Sequence, residues 1–155
     1  MDSIKEKAAF LKEELTKKLS HIDPATKALW GKMNVPQMTE HMSEMFRLAS
    51  GKILLGIETP EENIPKMQAF VQSDKPFREN TANKLLPDTP WPAKHTTIKE
   101  SIEELQEEIN HFFSVFEIEP EKIIPNPFFG NLNYELQVQL LYKHAQHHLR
   151  QFGAA

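Results

Sequence analysis

Six of the eleven prolines fall between positions 60 and 92, at 60, 65, 76, 87, 90 and 92. Proline removes a backbone donor and is kept out of helix interiors and central strands, so this stretch admits no long element. On either side of it, apolar residues return at helical spacing. The chain is thereby divided into two helical halves joined by a connector, residues 50–97, which is too long for a turn. Connectors of that length are usually functional or carry small helices of their own. Within it, Glu61 to Val71 has the pattern of one short helix.

In the N-terminal half, Ile4, Ala8, Leu11, Leu15 and Leu19 form one apolar stripe, with Lys and Glu on the other faces. Asp23-Pro24 has the form of an N-cap and first-turn proline, opening a short helix through Leu29 and Trp30. The second long helix begins at Asn34, with Pro36 in its first turn and Gln37 placed for a capping box. Its stripe is Met38, Met42, Met45, Phe46 and Ala49, and Gly51 stops it. In the C-terminal half, Thr97 and Glu100 form a second capping box, ahead of Ile98, Ile102, Leu105, Ile109, Phe112, Phe113 and Phe116. Asn133 or Asn131 caps the fourth helix, which carries Leu136, Leu140, Leu141, His144 and His148 on one side and ends at Gly153. Four amphipathic helices, one long link and no strands predict an all-α fold: a four-helix bundle with a long crossover connection between helices 2 and 3. It forms a single domain over 1–155.

With 39% hydrophobic residues, a chain of 155 can bury a substantial core. Charged residues make up 26%, are well mixed and sum to −4. No basic stripe exists, which argues against a nucleic-acid partner. Cysteine is absent, removing disulfides, thiolate ligands and a cysteine nucleophile together, and fitting a reducing compartment. The charged start, Met1 to Lys7, has no signal-peptide character, and the apolar runs are too short for a membrane span. The expectation is a soluble, cytoplasmic protein.

Three of the seven histidines lie close together near the C-terminus, at 144, 147 and 148. His144 and His148 are four apart, so a helix sets their Cβ atoms about 5–6 Å apart on one face. Two such imidazoles can share a metal ion, given a third ligand from elsewhere. His41 belongs to the apolar stripe of the second helix, beside Met42 and three residues after Met38, and so looks inward. Each has a plainer reading: His41 as a core histidine bonded to a carbonyl, and the C-terminal pair as partners of the helix dipole. His144, however, is well inside the helix and in line with Leu136 and Leu140, where a titratable ring needs a partner. His147 is about 60° off the Leu140–His144 line against about 40° for His148, and can replace His148 geometrically. His21 reads as a surface or capping residue, His95 as exposed in the connector, and His111 as facing solvent.

The pair fits no common metallopeptidase motif, because Ala145 and His147 stand where those motifs place the catalytic glutamate. The Glu-x-x-His pairs of di-iron bundles are missing too. Two histidines one turn apart on a single helix cannot take opposite axial positions on a haem.

The segments Leu29-Trp30-Gly31-Lys32-Met33-Asn34-Val35-Pro36-Gln37-Met38 through His41, Asn126-Pro127-Phe128-Phe129-Gly130, and Lys143 through Gly153 resemble the DinB/YfiT superfamily, and within it the DUF1569 branch. The resemblance covers nearly the whole chain. It implies a four-helix bundle with a long crossover, a homodimer, and a metal held by one histidine on the second helix and a His-x-x-x-His pair on the fourth. Those positions are His41, His144 and His148. It also implies a metal-dependent enzyme acting on a small-molecule substrate, since some members are transferases or isomerases that use a low-molecular-weight thiol. Fold-level analogy assigns no reaction.

Three neutral imidazoles leave a divalent ion, zinc or nickel first, with an open position for water, thiolate or substrate. The expected function is a thiol-dependent transferase or a hydrolase. The alternative is a non-enzymatic dimeric bundle whose histidines are structural or bind metal without turnover. Gln37, Glu40, Glu44, Gln151 and Tyr142 are candidates to orient the imidazoles, each with an ordinary surface role as the plainer reading. Asn126 to Gly130 reads as an apolar plug or a pocket wall, and Trp30 as core.

Overall fold

A computed structural model describes residues 3–79, 86–87 and 89–155; Met1, Asp2 and connector residues 80–85 and 88 lie outside the described residues. The described chain is mostly helical, with one small sheet. Ser3 caps α1 (Ile4–Ala9) by accepting from the Glu6 amide, and the helix continues through a π-helical turn, Phe10–Glu14, into α2 (Leu15–Ser20). The π turn follows from the spacing of the stripe. From Ile4 to Leu19 a regular helix would drift by about 60°, and one wide turn takes up that drift. Ala8, Leu11, Leu15 and Leu19 all reach the core.

Helix α3 (Val35–Ser50) carries the expected capping box. Asn34 Oδ1 accepts from the Gln37 amide at 2.8 Å and Gln37 Oε1 accepts from the Asn34 amide at 2.9 Å. Gly51, at φ 85°, ends it. The predicted short helix appears as a 3-10 turn at Glu61–Asn63 followed by α4 (Ile64–Gln72). Thr97 caps α5 (Ile98–Ile118), which packs along α3, and Asn133 caps α6 (Tyr134–Gln151), which contacts α1, α3 and α4. The stripes of α1 to α3, α5 and α6 share one core, in which Phe46 meets Phe112 edge-on.

Three expectations are corrected. Residues 24–30 are not helical: Asp23 accepts from the Ala25 and Thr26 amides, but only one turn forms. So short a helix cannot offset its nucleation cost, and the Leu29 amide instead donates to the Gln151 carbonyl at 2.7 Å. Strands do occur. β1 (Ile124–Asn126) pairs antiparallel with β2 (Gly130–Leu132), Ile124 opposite Leu132 and Asn126 opposite Gly130. Three residues per strand are too few to display alternation. Finally, His95 is half-buried, its Nε2 3.3 Å from Glu104, because Glu40 draws the end of the connector inward by accepting from the Lys94 and His95 amides.

The hairpin makes a second, smaller core. Val71, Phe129, Leu132 and Leu140 are buried together, with Met67, Phe70, Phe77, Phe128 and Leu136 around them. Asn126 Oδ1 accepts from the Phe128 and Phe129 amides and shapes the turn. At Gly130, φ 77°, a Cβ would lie 2.8 Å from Ile64 Cγ2. The Asn126–Gly130 segment therefore packs α4 onto α6. Among the described residues no helix is long and apolar enough to cross a membrane.

Candidate metal centre

His41 projects from the middle of α3, and His144 and His148 from successive turns of α6. One ring nitrogen from each lies within 4.8 Å of the others. The Nε2 atoms of His41 and His144 are 3.2 Å apart. In a tetrahedral site with metal–nitrogen bonds of about 2.0–2.1 Å, ligand nitrogens stand about 3.4 Å apart, so His41 and His144 are already near ligand spacing and the third nitrogen would have to close in by about 1 Å. The rings of His144 and His148 stack, 4.7 Å between centroids, while His41 meets each edge-on.

The orientation of His148 is fixed by a chain of hydrogen bonds. Gln151 Nε2 donates to the Trp30 carbonyl at 3.0 Å, which leaves the amide oxygen as the acceptor facing His148 Nδ1 at 2.8 Å. Nδ1 must then carry the proton and Nε2 the lone pair. That Nε2 is buried and has no hydrogen-bond partner among the described residues. A buried polar atom without a partner carries a desolvation cost, and an ion between the three rings is what its lone pair fits. Gly31 makes the approach possible: at φ 77°, a Cβ there would lie 2.8 Å from Gln151 Nε2.

Electrostatics keep the rings neutral. Burial and then the neighbouring His147 push the His41 pKa down to about 4. Burial holds His144 and His148 well below the ordinary value, with the adjacent histidines adding to it. A neutral imidazole is the form that ligates metal.

His147 is not one of the three whose nitrogens converge, although its ring lies 5.1 Å from that of His148. The His147 ring packs 5.4 Å from Trp30 and 5.8 Å from Phe77, and its pKa is lowered by burial and then by Arg150. His21 is exposed and His111 is half-buried on α5. Of the candidate orienting residues, Gln151 reaches a ring of the trio. Gln37 completes the α3 cap and donates to Trp91, Glu40 holds the connector, and Glu44 pairs with Arg47. Tyr142 packs against Phe10 on the α1 side. Trp30 supplies a backbone carbonyl as well as packing, a role that its side chain does not signal. Phe77, from the connector, lies 5.4 Å from His144.

Comparison with protein-family models, with curated proteins and with solved structures finds no match to this chain.

Proposed function

We propose that this protein is a divalent-metal-dependent enzyme acting on a small molecule, with His41, His144 and His148 holding the ion. One observation carries the reading: the Nε2 of His148, left with the lone pair by the bond from Nδ1 to Gln151, is buried and without a hydrogen-bond partner among the described residues. Three imidazoles make zinc or nickel the leading ions. A divalent ion there keeps an open position and lowers the pKa of the water or thiol that takes it. The chain's own part is to keep three imidazoles neutral, to fix the His148 tautomer through Gln151 and Trp30, and to surround the rings with protein.

The resemblance to the DinB/YfiT superfamily supports the same three residues. With them it supports a four-helix bundle with its crossover through the connector, a homodimer, and a transferase or hydrolase reaction. The chain has no cysteine, so a sulfur nucleophile would come from a low-molecular-weight thiol. One observation favours a second reading, metal held without turnover: Phe77 packs against His144.

Elemental analysis of untagged protein tests the site. The expected result is one ion per chain in the parent and its loss in His41→Ala, His144→Ala and His148→Ala. A parent that neither contains zinc or nickel nor takes them up on titration removes the proposal. Assays of the loaded protein with panels of thiols and electrophiles separate the two readings, since stoichiometric metal without turnover favours the second.

A further inference from the structure

A second polar cluster lies on another face of α6. Lys143 and Arg150 from that helix, Lys7 from α1 and Lys75 from the turn after α4 line a cavity of about 340 Å³, which Tyr142 also lines. Asp74 is the single acid among the lining residues. Lys7 and Lys143 are each only 8% exposed, a degree of burial that lysine rarely accepts without a counter-charge. None of the four cations has an ion-pair partner among the described residues. Elsewhere in the same chain Arg47, Lys52, Lys94 and Lys122 each meet a carboxylate.

Other contacts hold the two buried ammoniums in place. Lys143 Nζ donates to the Ser73 carbonyl at 2.8 Å and to the Lys75 carbonyl, and lies 4.5 Å from the Phe70 ring centre. Lys7 Nζ sits 5.4 Å from the ring centre of Tyr142. These contacts position positive charge without neutralising it, and Asp74, whose carboxylate acts on Lys143, offsets only one of the four. In a chain of net charge −4, four such cations around one recess are a local reversal of sign.

We propose that this cavity binds the phosphate group of a small phosphorylated metabolite. A dianion matches the surplus charge better than a carboxylate does. The Arg150 guanidinium offers a planar fork suited to phosphate oxygens, and the amides of Gln139 and Gln146, also in the lining, add donors. The volume is near the lower end of the range for ligand sites, about 300–1,000 Å³, which fits a small metabolite. The three histidines do not line this cavity, and the inference does not rest on a metal.

Calorimetric titration of the metal-free full chain with inorganic phosphate, at constant ionic strength, tests it. Saturable one-to-one binding is expected, with acetate far weaker, and a rise in Tm of about 3–6 °C at ten times Kd. Lys7→Gln and Arg150→Gln should each weaken phosphate by about tenfold or more, as the loss of one charge-assisted contact does. Arg150 is only half-buried, so its variant keeps the test open if Lys7→Gln fails to fold. His144→Ala should bind phosphate as the parent does. No saturation at millimolar phosphate, acetate binding equal to phosphate, both folded variants binding like the parent, or loss of binding in His144→Ala would each overturn the proposal.

Discussion

At the scale of single residues, the candidate centre depends on a glutamine that touches no metal. Gln151 can present its oxygen to His148 only because its nitrogen is committed to the Trp30 carbonyl, 121 positions earlier in the chain. Gln151→Ala should leave the helix intact by circular dichroism and weaken zinc about 10–100-fold, read by chelator competition. Unchanged affinity would show that the hydrogen bond does not orient the ring. The histidines themselves were legible, because the 3.6-residue period places His41 inward on one helix and pairs His144 with His148 on another. Gln151 stood out among its alternatives only in three dimensions, since its role depends on an amide direction set by a distant carbonyl. The same burial gives a pH dependence. Below the ordinary histidine value of 6.5 an unfolded chain takes up protons that folded His41 refuses until about pH 4. Stability of the metal-free protein should therefore fall as pH drops from 6.5 towards 4, and His144 and His148 act in the same direction. Urea midpoints measured across that range check this, and a flat profile would contradict it.

At the scale of elements, caps were more informative than composition. Asn34, Thr97 and Asn133 each accept a hydrogen bond from an amide of the first turn, at the positions where the sequence places a helix start. Asn34→Ala should cost about 1 kcal/mol, measured by denaturant unfolding with an unchanged m-value. Asp23 is also a residue type that caps helices and is followed directly by Pro24, yet no helix grows from it. A cap satisfies amides but supplies no core, and exposed Leu29 offers none. Asp23→Ala should accordingly stay within about 0.5 kcal/mol of the parent. The π turn and the hairpin escaped a reading by periodicity for opposite reasons. The first is one extra residue hidden in a stripe that stays apolar, and the second is too short to have a period.

At the scale of the whole molecule, the sequence correctly separates helical halves from connector, but not what the connector does. Its α4 and Phe77 join the hairpin and one side of α6 in a core of their own, while α1 to α3, α5 and the other side of α6 share the larger one. Long-range pairing of this kind depends on side chains such as Gln68, which donates to the Phe129 and Asn131 carbonyls, and no local pattern announces it. Two cores need not open together. The smaller, with four buried apolar residues against twenty-one in the larger, should detach first, as a unit. In amide hydrogen exchange, α4 should then lose protection through an opening well short of global unfolding, while α3 and α5 exchange only by the global route. Equal protection across all three would refute this. Since Phe77 belongs to the unit that opens and packs against His144, each opening would bare more of a ring that is already partly exposed, so traffic to the histidines would follow the breathing of one corner of the fold.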